Sequence, residues 1–211
     1  MIEILVADDH TIVRQGLREI LDKEPDLHVK DEAANGSEVL EKISRQHFDV
    51  IILDITMPGR SGIEILKEIK SRRKNSAVLI LSMYSEEEYA IRAFKSGAAG
   101  YLSKKYAISE LIEAIRKVAA GGKYISENVA HELAFRIDRY SQKAPHEILS
   151  DREFEVLCLI GSGKSVSEIA RELSLSISSV STYRSHIKEK MKLKNNMEMI
   201  HYVIKNDLIS R

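Results

Sequence analysis

The sequence is short of several residue types, and each shortage excludes a class of protein. It has no tryptophan, three prolines and a single cysteine, Cys158, in 211 residues. One cysteine cannot form an internal disulfide, which excludes a small secreted domain held together by such bonds. No apolar run approaches the roughly 20 residues that cross a bilayer, and the start, MIEILVADDH, is acidic where a signal peptide is basic. We therefore expect a cytoplasmic protein that does not span a membrane.

Net charge is also lacking, since 32 basic residues balance 32 acidic ones. With 44% hydrophobic residues, the chain does not have the composition of a disordered protein, and its length allows one large domain or two small ones. Neutrality argues against a general polyanion binder. Within Val180–Lys194, however, five cations face only Glu189, and this local excess is typical of a helix that meets phosphates.

Two hydrophobic periods alternate over the first 120 residues. Short β-branched runs alternate with stretches whose apolar residues recur every three or four positions, which predicts a doubly wound parallel (βα)5 sheet with helices on both faces. The predicted strands are 2–7, 28–33, 49–54, 77–82 and 99–103. The predicted helices are 11–22, 37–45, 61–72, 86–96 and 108–120.

A change of pattern after Gly121 and Gly122 predicts a second domain. We expect an α/β domain at 1–122 and a linker at 123–146 that contains a helix, 127–137, and a polar tether ending at His146. A small all-α domain follows at 147–211. Its four predicted helices are 151–161, 166–173, 177–192 and 196–205, and the short turn before the third is typical of a helix-turn-helix.

Polar residues end four of the five predicted strands. Asp8 and Asp9 follow the first strand, and Asp54, Ser82 and Lys104 end the third, fourth and fifth. Carboxyl ends of parallel strands meet at one edge, where ligands bind. Converging carboxylates suit Mg²⁺, and Asp54 would then be a nucleophile toward a phosphoryl group, with Lys104 and Ser82 contacting its oxygens. The alternative for any one aspartate is a turn or helix-cap residue.

The segments VADDH, ILDITMPG, LSMY and GYLSK together resemble the receiver domain of bacterial two-component response regulators, over residues 1 to about 120. The resemblance implies Mg²⁺ and a phosphoryl group donated by a sensor histidine kinase. It also implies a role for each matching residue: phosphoacceptor Asp54, direct metal ligand Asp9, second acidic partner Asp8, metal-binding backbone carbonyl of Thr56, switch hydroxyl Ser82, switch aromatic Tyr101 and phosphate partner Lys104.

Three other sites are suggested by short motifs and fail on spacing. GSGKS resembles the end of a phosphate-binding loop, but the first glycine of that pattern is replaced by Cys158. A phosphatase with an Asp nucleophile places an acid two residues later, where this chain has Thr56. A transition-metal site at His10 lacks a second histidine or cysteine at ligand spacing, so we expect His10 only to begin a helix.

The third C-terminal helix presents a polar face. Its apolar positions are Val180, Ile187 and Met191, which leaves a row of hydroxyls and a lysine opposite them. Such a face is either simply solvated or, in a helix-turn-helix, lies in the major groove of DNA. The predicted DNA-contacting residues are Ser178, Ser181, Thr182, Arg184, Ser185, Lys188, Lys190, Lys192 and Lys194.

The segment from Leu149 onward, beginning LSDREFEVLCLIGSGKS, resembles the LuxR-type (NarL/FixJ) DNA-binding domain. That family commonly has lysine and histidine where this chain has Ser181 and Tyr183, so readout by hydroxyls or bound water is expected here. The resemblance implies promoter DNA as a partner, a homodimer at least when phosphorylated, formed through Asn196–Asn206, and RNA polymerase as a further candidate partner.

The combination predicts a transcription regulator whose receiver catalyses only its own phosphorylation and dephosphorylation, so it is not classed as an enzyme. Two alternatives remain open from the sequence. One is a phosphoaspartate hydrolase with a helical interaction tail, and the other is a constitutive DNA binder with a vestigial receiver.

Overall fold

The computed structural model describes residues 1–73, 75–82, 86–104, 107–126, 130, 144–206 and 208–209. The chain forms two compact units, Met1–Ala130 and His131–Arg211. The limits 1–122, 123–146 and 147–211 remain predictions, and the predicted helix 127–137 lies outside the described residues except for position 130. Within the described part, no helix is both long and apolar enough to cross a bilayer.

The first unit confirms the predicted (βα)5 order. Strand and helix ends differ from the prediction by at most one residue, which is within the usual uncertainty at element termini. The strands are β1 Ile2–Ala7, β2 Leu27–Ala33, β3 Val50–Asp54, β4 Ala77–Ser82 and β5 Gly100–Ser103. The helices are α1 Thr11–Leu21, α2 Gly36–Arg45, α3 Gly62–Arg72, α4 Glu86–Lys95 and α5 Ala107–Ala119.

The sheet is parallel throughout, in the order β2-β1-β3-β4-β5. Every residue of β3 and β4 is buried, because helices cover both faces and the strands are almost wholly apolar. Ala7, the last residue of β1, pairs with Leu53 of β3. Asp8, just after β1, and Asp54, the last residue of β3, each come one residue later and therefore emerge side by side.

The second unit is helical in its described part. A 3-10 helix at Pro145–Ile148 precedes four α-helices. These are α6 Asp151–Gly161, α7 Val166–Glu172, α8 Ile177–Met191 and α9 Asn196–Lys205. Each α-helix begins at a side chain that accepts a backbone N–H three residues on, and this capping marks the start in the sequence. The four capping residues are Ser150, Ser165, Ser176 and Asn195.

One detail differs from the sequence-based expectation. His146 is predicted as the end of a polar tether, but it is buried, its Nδ1 is 2.8 Å from the Tyr202 hydroxyl, and its ring centroid is 5.8 Å from that of Phe154. The hydrogen bond at Nδ1 offsets part of the cost of burying the polar edge of the imidazole. His146 thus belongs to the core of the second unit.

Candidate functional sites: an acidic pocket and a polar helix face

The centre of the acidic pocket is Asp54, the last residue of β3 and 1% exposed. The Lys104 ammonium donates to Asp54 Oδ2 at 2.7 Å and to Asp8 Oδ2 at 2.6 Å. Thr56 donates its backbone N–H to Asp54 Oδ1 at 3.0 Å, and its hydroxyl lies 2.9 Å from each oxygen of that carboxylate. Four of the predicted site residues are therefore in direct contact.

Burial and charge act in opposite directions in this pocket. Burial raises the pKa of Asp54, and the neighbouring Asp8 carboxylate raises it further, although Lys104 opposes both. Burial alone would lower the pKa of Lys104, but the two carboxylates raise it, so this amine stays charged. The pocket thus holds two carboxylates against one fixed cation, and a second cation would relieve the remaining repulsion.

Asp9 and His10 complete a group suited to a metal ion. Among the described residues, Asp8, Asp9, His10 and Asp54 offer ligand atoms that all lie within 4.8 Å of one another. Asp9 Oδ1 is buried and accepts no hydrogen bond within the described part of the chain, although His10 Nδ1 is 2.9 Å away. A buried carboxylate oxygen in this state fits a hard divalent cation with oxygen ligands.

The loop after β3 is shaped by two glycines. Gly59 has φ +93°, a left-handed conformation that favours glycine. A Cβ at Gly62 would lie 2.5 Å from Ile55 Cα, and the Gly62 N–H donates to Ile55 O at 3.1 Å. The close approach draws the loop back against the end of β3, which keeps Thr56 beside Asp54.

Ser82 and Tyr101 lie in the neighbouring strands. Both are fully buried, Ser82 at the end of β4 and Tyr101 in the middle of β5. The Lys104 N–H donates to Ser82 O at 2.8 Å, so the backbone that carries the lysine is anchored to the strand that carries the serine. Both residues occupy the strand positions that the sequence predicts, and their switching roles stay predictions.

Two contacts at the pocket are not anticipated by the sequence interpretation. Arg14, on α1, donates to the Asp8 backbone carbonyl at 2.7 Å and to Glu32 at 3.1 Å. His10 does begin α1, as expected, but its N–H also donates to Asp8 Oδ1 at 2.8 Å. Periodicity places both residues near the rim of the sheet, yet only the folded backbone brings them onto Asp8.

The polar helix face lies on α8 in the second unit. Val180 and Ile187 are fully buried and Met191 nearly so, as the helical spacing predicts. The opposite face is exposed or half-buried along its length. Thr182 Oγ1 donates to Ser178 O at 3.0 Å and Ser185 Oγ to Ser181 O at 3.1 Å, so these hydroxyls present mainly acceptor lone pairs outward.

The cations of α8 and the turn after it have different surroundings. Lys192, in the left-handed conformation that ends the helix, and Lys194 are exposed, whereas Arg184 and Lys188 are half-buried. The Arg184 Nε atom is buried and has no hydrogen-bond partner among the described residues. The predicted contacts of these four residues with DNA phosphates stay predictions.

Lys190 differs because it has a partner within the protein. Its Nζ is 2.6 Å from Glu153 Oε2 and 2.8 Å from Oε1, and Glu153 is 3% exposed on α6. His186 Nδ1 also lies near this carboxylate, 3.6 Å from Glu153 Oε1. Burial alone would raise the pKa of Glu153, but hydrogen bonds from Lys190 and Ser150 lower it. In the sequence, Glu153 stands three residues after Ser150, a spacing that indicates a helix cap. That spacing gives no sign of the contact with Lys190.

Comparison with known proteins identifies the class. The sequence model of the response regulator receiver domain matches residues 4–116, and that of the bacterial regulatory proteins of the luxR family matches residues 147–203. The chain therefore belongs to the two-component response regulators. Its second domain is of the LuxR type, so this is a DNA-binding response regulator, and both matched domains are regulatory.

Relatives match over almost the whole length. The oxygen regulatory protein NreC of Staphylococcus carnosus (strain TM300) is 36% identical over 214 residues, 98% of this chain and 99% of NreC. The response regulator UvrY of Escherichia coli (strain K12) is 32% identical over 209 residues, 99% of this chain and 96% of UvrY. A structure of RcsB from Salmonella typhimurium is 26% identical with a TM-score of 0.63, over 96% of this chain and 99% of that one.

Proposed function

We propose that Asp54 accepts a phosphoryl group from a sensor histidine kinase and that this modification controls dimerisation and DNA binding. Class membership supports a kinase partner, because receiver domains pair with histidine kinases. The observation that carries the choice of residue is the position of Lys104, whose ammonium bridges Asp54 and Asp8 in a buried pocket.

In the proposed step an Asp54 oxygen attacks phosphorus, the O–P bond forms, and the N–P bond to the donor imidazole breaks. Lys104 keeps its positive charge because its pKa is raised, and its ammonium stabilises the negative charge on the oxygens of the transferring phosphoryl group. The Ser82 hydroxyl donates to one of those oxygens. Mg²⁺, held by Asp8, Asp9, Asp54 and the Thr56 carbonyl, would supply the second positive charge. Self-phosphorylation from small phosphodonors and self-dephosphorylation follow from the same groups.

The modification is proposed to act through a two-state surface. Adding charge at Asp54 draws Ser82 and Lys104 toward the phosphate, and Tyr101 turns in behind them. The face that contains α4, β5 and α5 then changes its contacts. We further propose that the receiver spans residues 1–122 and the DNA-binding domain residues 147–211, joined by the linker 123–146.

For the second domain we propose that α8 enters the major groove. Ser178, Ser181, Thr182 and Ser185 would meet base edges, directly or through water, while Arg184, Lys188, Lys192 and Lys194 hold phosphates. RcsB, a structural relative at 26% identity and TM-score 0.60, has been solved in complex with DNA. We place Lys190 at the edge of the proposed DNA-contacting surface, because its charge is already paired with the Glu153 carboxylate.

We also propose a homodimer that binds two half-sites, with promoter DNA as target and RNA polymerase as a further partner. A structure of two RcsB dimers bound to DNA is known for that relative. Joining two DNA-binding domains raises affinity strongly, because the second contact becomes intramolecular. Because both proposed partners, promoter DNA and a sensor kinase, act inside the cell, we also propose a cytoplasmic location.

The decisive experiment measures DNA binding with and without a phosphodonor. Band shifts on genomic fragments at low salt would compare the wild type and Asp54→Asn, each with Mg²⁺ and acetyl phosphate. We expect acetyl phosphate to increase DNA binding by the wild type and to have no effect on binding by the variant. Donor-independent binding in both would support a vestigial receiver, and phosphate turnover without binding would support a hydrolase.

A further inference from the structure

After α5, the chain returns to the edge of the sheet. Tyr124 pairs with Gly100 in an isolated parallel bridge, and its N–H donates to Ala99 O at 2.9 Å. Lys123 donates from Nζ to Ala98 O. Residues 123–124 therefore lie along β5, on the side away from β4, immediately before the segment that leads to the second unit.

The Tyr124 side chain is fixed as firmly as its backbone. Its hydroxyl donates to Glu110 Oε2 at 2.7 Å, and Lys117 Nζ lies 5.7 Å from the ring centroid, so two residues of α5 hold the ring. Tyr124 is 8% exposed. A tyrosine buried over an apolar surface with its hydroxyl satisfied has little freedom to move independently of its neighbours.

Gly100 makes the contact between β5 and Tyr124 direct. A Cβ at Gly100 would lie 3.0 Å from Tyr124 Cβ and 2.7 Å from Leu79 Cδ1, so no side chain separates the strand from the tyrosine. The next residue of β5 is Tyr101. A displacement of this part of β5 therefore reaches Tyr124 through one backbone contact.

We propose that Tyr124 is a positioning residue that couples β5 and α5 to the start of the linker. The inference rests on the proposed function, because it takes phosphorylation of Asp54 as the event that moves β5. Close packing transmits such shifts, since packed cores have discrete arrangements and do not deform continuously. The hydrogen bond from Tyr124 to Glu110 keeps strand, helix and linker moving as one body.

The test uses the full-length chain with Mg²⁺ and with or without beryllofluoride, a stable mimic of the aspartyl phosphate. The DNA probe is a duplex selected from random sequence by the beryllofluoride-loaded wild type. We compare Tyr124→Phe, which removes only the hydroxyl, with Glu110→Ala and with a matched control, Glu113→Ala. Glu113 is an exposed residue of α5. Two readouts are taken, the ratio of DNA affinities with and without beryllofluoride, and hydrogen exchange of residues 123–126.

In Tyr124→Phe and Glu110→Ala we expect the affinity ratio to fall by about two- to tenfold, the range that one hydrogen bond supplies. Acetyl phosphate should still label Asp54 at the wild-type rate, and Glu113→Ala should behave as the wild type. Beryllofluoride should alter hydrogen exchange at 123–126 in the wild type but much less in the two variants.

Two results would overturn the proposal. One is an unchanged affinity ratio and exchange response in Tyr124→Phe, and the other is slower labelling of Asp54 in that variant, which would place Tyr124 upstream in the chemistry. If the wild type shows an exchange response at 123–126 that Tyr124→Phe loses, and neither protein changes its DNA affinity, the coupling by Tyr124 stands and the proposed phosphorylation-dependent DNA binding fails instead.

Discussion

At the scale of single residues, the carboxylates in the acidic pocket repel one another, which costs folding free energy but leaves Asp54 able to bind a cation. Asp54 is buried beside Asp8, and both conditions disfavour its charged form, so its pKa is raised. Lys104 compensates only in part, because one ammonium serves two carboxylates. Active sites commonly retain such unfavourable charge where function requires it.

The first prediction follows from this repulsion. Asp54→Asn should raise the melting temperature without Mg²⁺, because the substitution removes a buried negative charge while Lys104 still pairs with Asp8. Mg²⁺ should stabilise the wild type by about 2.7 kcal/mol at a concentration about 100 times its Kd. Calorimetry would show both effects. Asp9→Asn, as the matched variant, should lose much of the Mg²⁺ response, and a wild type indifferent to Mg²⁺ would contradict the assigned metal site.

Lys190 carries the second prediction. Lys190→Ala should destabilise the second unit by about 1–2 kcal/mol, because it removes a charged hydrogen bond from the buried Glu153 carboxylate. Lys192→Ala is the control, since that lysine is exposed at the helix end. Urea unfolding measures the difference, and equal stability of the two variants would show that the bridge contributes nothing.

Glu153 gives a third prediction, for pH. Its folded-state pKa is lowered, so it contributes stability above its ordinary pKa and loses that contribution as pH falls through the folded value. Unfolding of the wild type should therefore become easier in this acid range. Glu153→Gln should be less stable at neutral pH and show a weaker loss in acid. Parallel pH profiles for the two proteins would refute the assignment.

At the scale of elements, strand ends and one helix face carry the proposed chemistry. The pairing of Ala7 with Leu53 brings the carboxylates that follow them together. The left-handed residue Lys192 ends α8, so that Lys194 follows in the next turn. Neither arrangement needs a long-range ion pair to form. Both follow from backbone pairing and helix termination.

The fourth prediction concerns α8 and the turn after it. Lys192→Ala and Lys194→Ala should each weaken binding to all DNA sequences and reduce the slope of log affinity against log salt by about one. Titrations at several salt concentrations measure the slope. Glu189→Ala, on the same helix, should leave the slope unchanged or steepen it. A change of base preference without a change of slope would show that these lysines do not contact phosphates.

At the scale of the whole molecule, the chain joins two compact units, each with its own buried residues. The receiver core is built by the parallel sheet and its helices, and the second unit packs α6 against α8 and α9. α9 also carries two exposed apolar side chains, Met197 at 72% and Ile204 at 47%. Exposed apolar residues on the last helix agree with its proposed use in dimerisation.

The fifth prediction tests that use. Met197→Glu should weaken dimerisation of the beryllofluoride-loaded protein and reduce DNA affinity by tenfold or more, about 1.4 kcal/mol. Light scattering and band shifts measure the two effects. Ile148→Glu, which introduces the same charge at an exposed isoleucine of the same unit, is the control. A Met197→Glu protein that dimerises normally would exclude α9 from the interface.

Much of this protein was decided locally in its sequence. Alternating periods specify the (βα)5 order, because burial on both faces requires apolar strands and burial on one face requires amphipathic helices. Serine and asparagine caps mark the helix starts. The polar residues at strand ends predict the pocket, since all parallel strands of one sheet end on the same side.

The tertiary structure decided which partners meet outside the strand ends. Lys190 reaches Glu153 across 37 positions, and His146 is buried against Tyr202 across 56. Likewise, only the folded chain lays Tyr124 along Gly100. Periodicity reports which face of an element is apolar, but it contains no information on the partner across the interface. Those pairings depend on the packing of distant elements, which the fold alone determines.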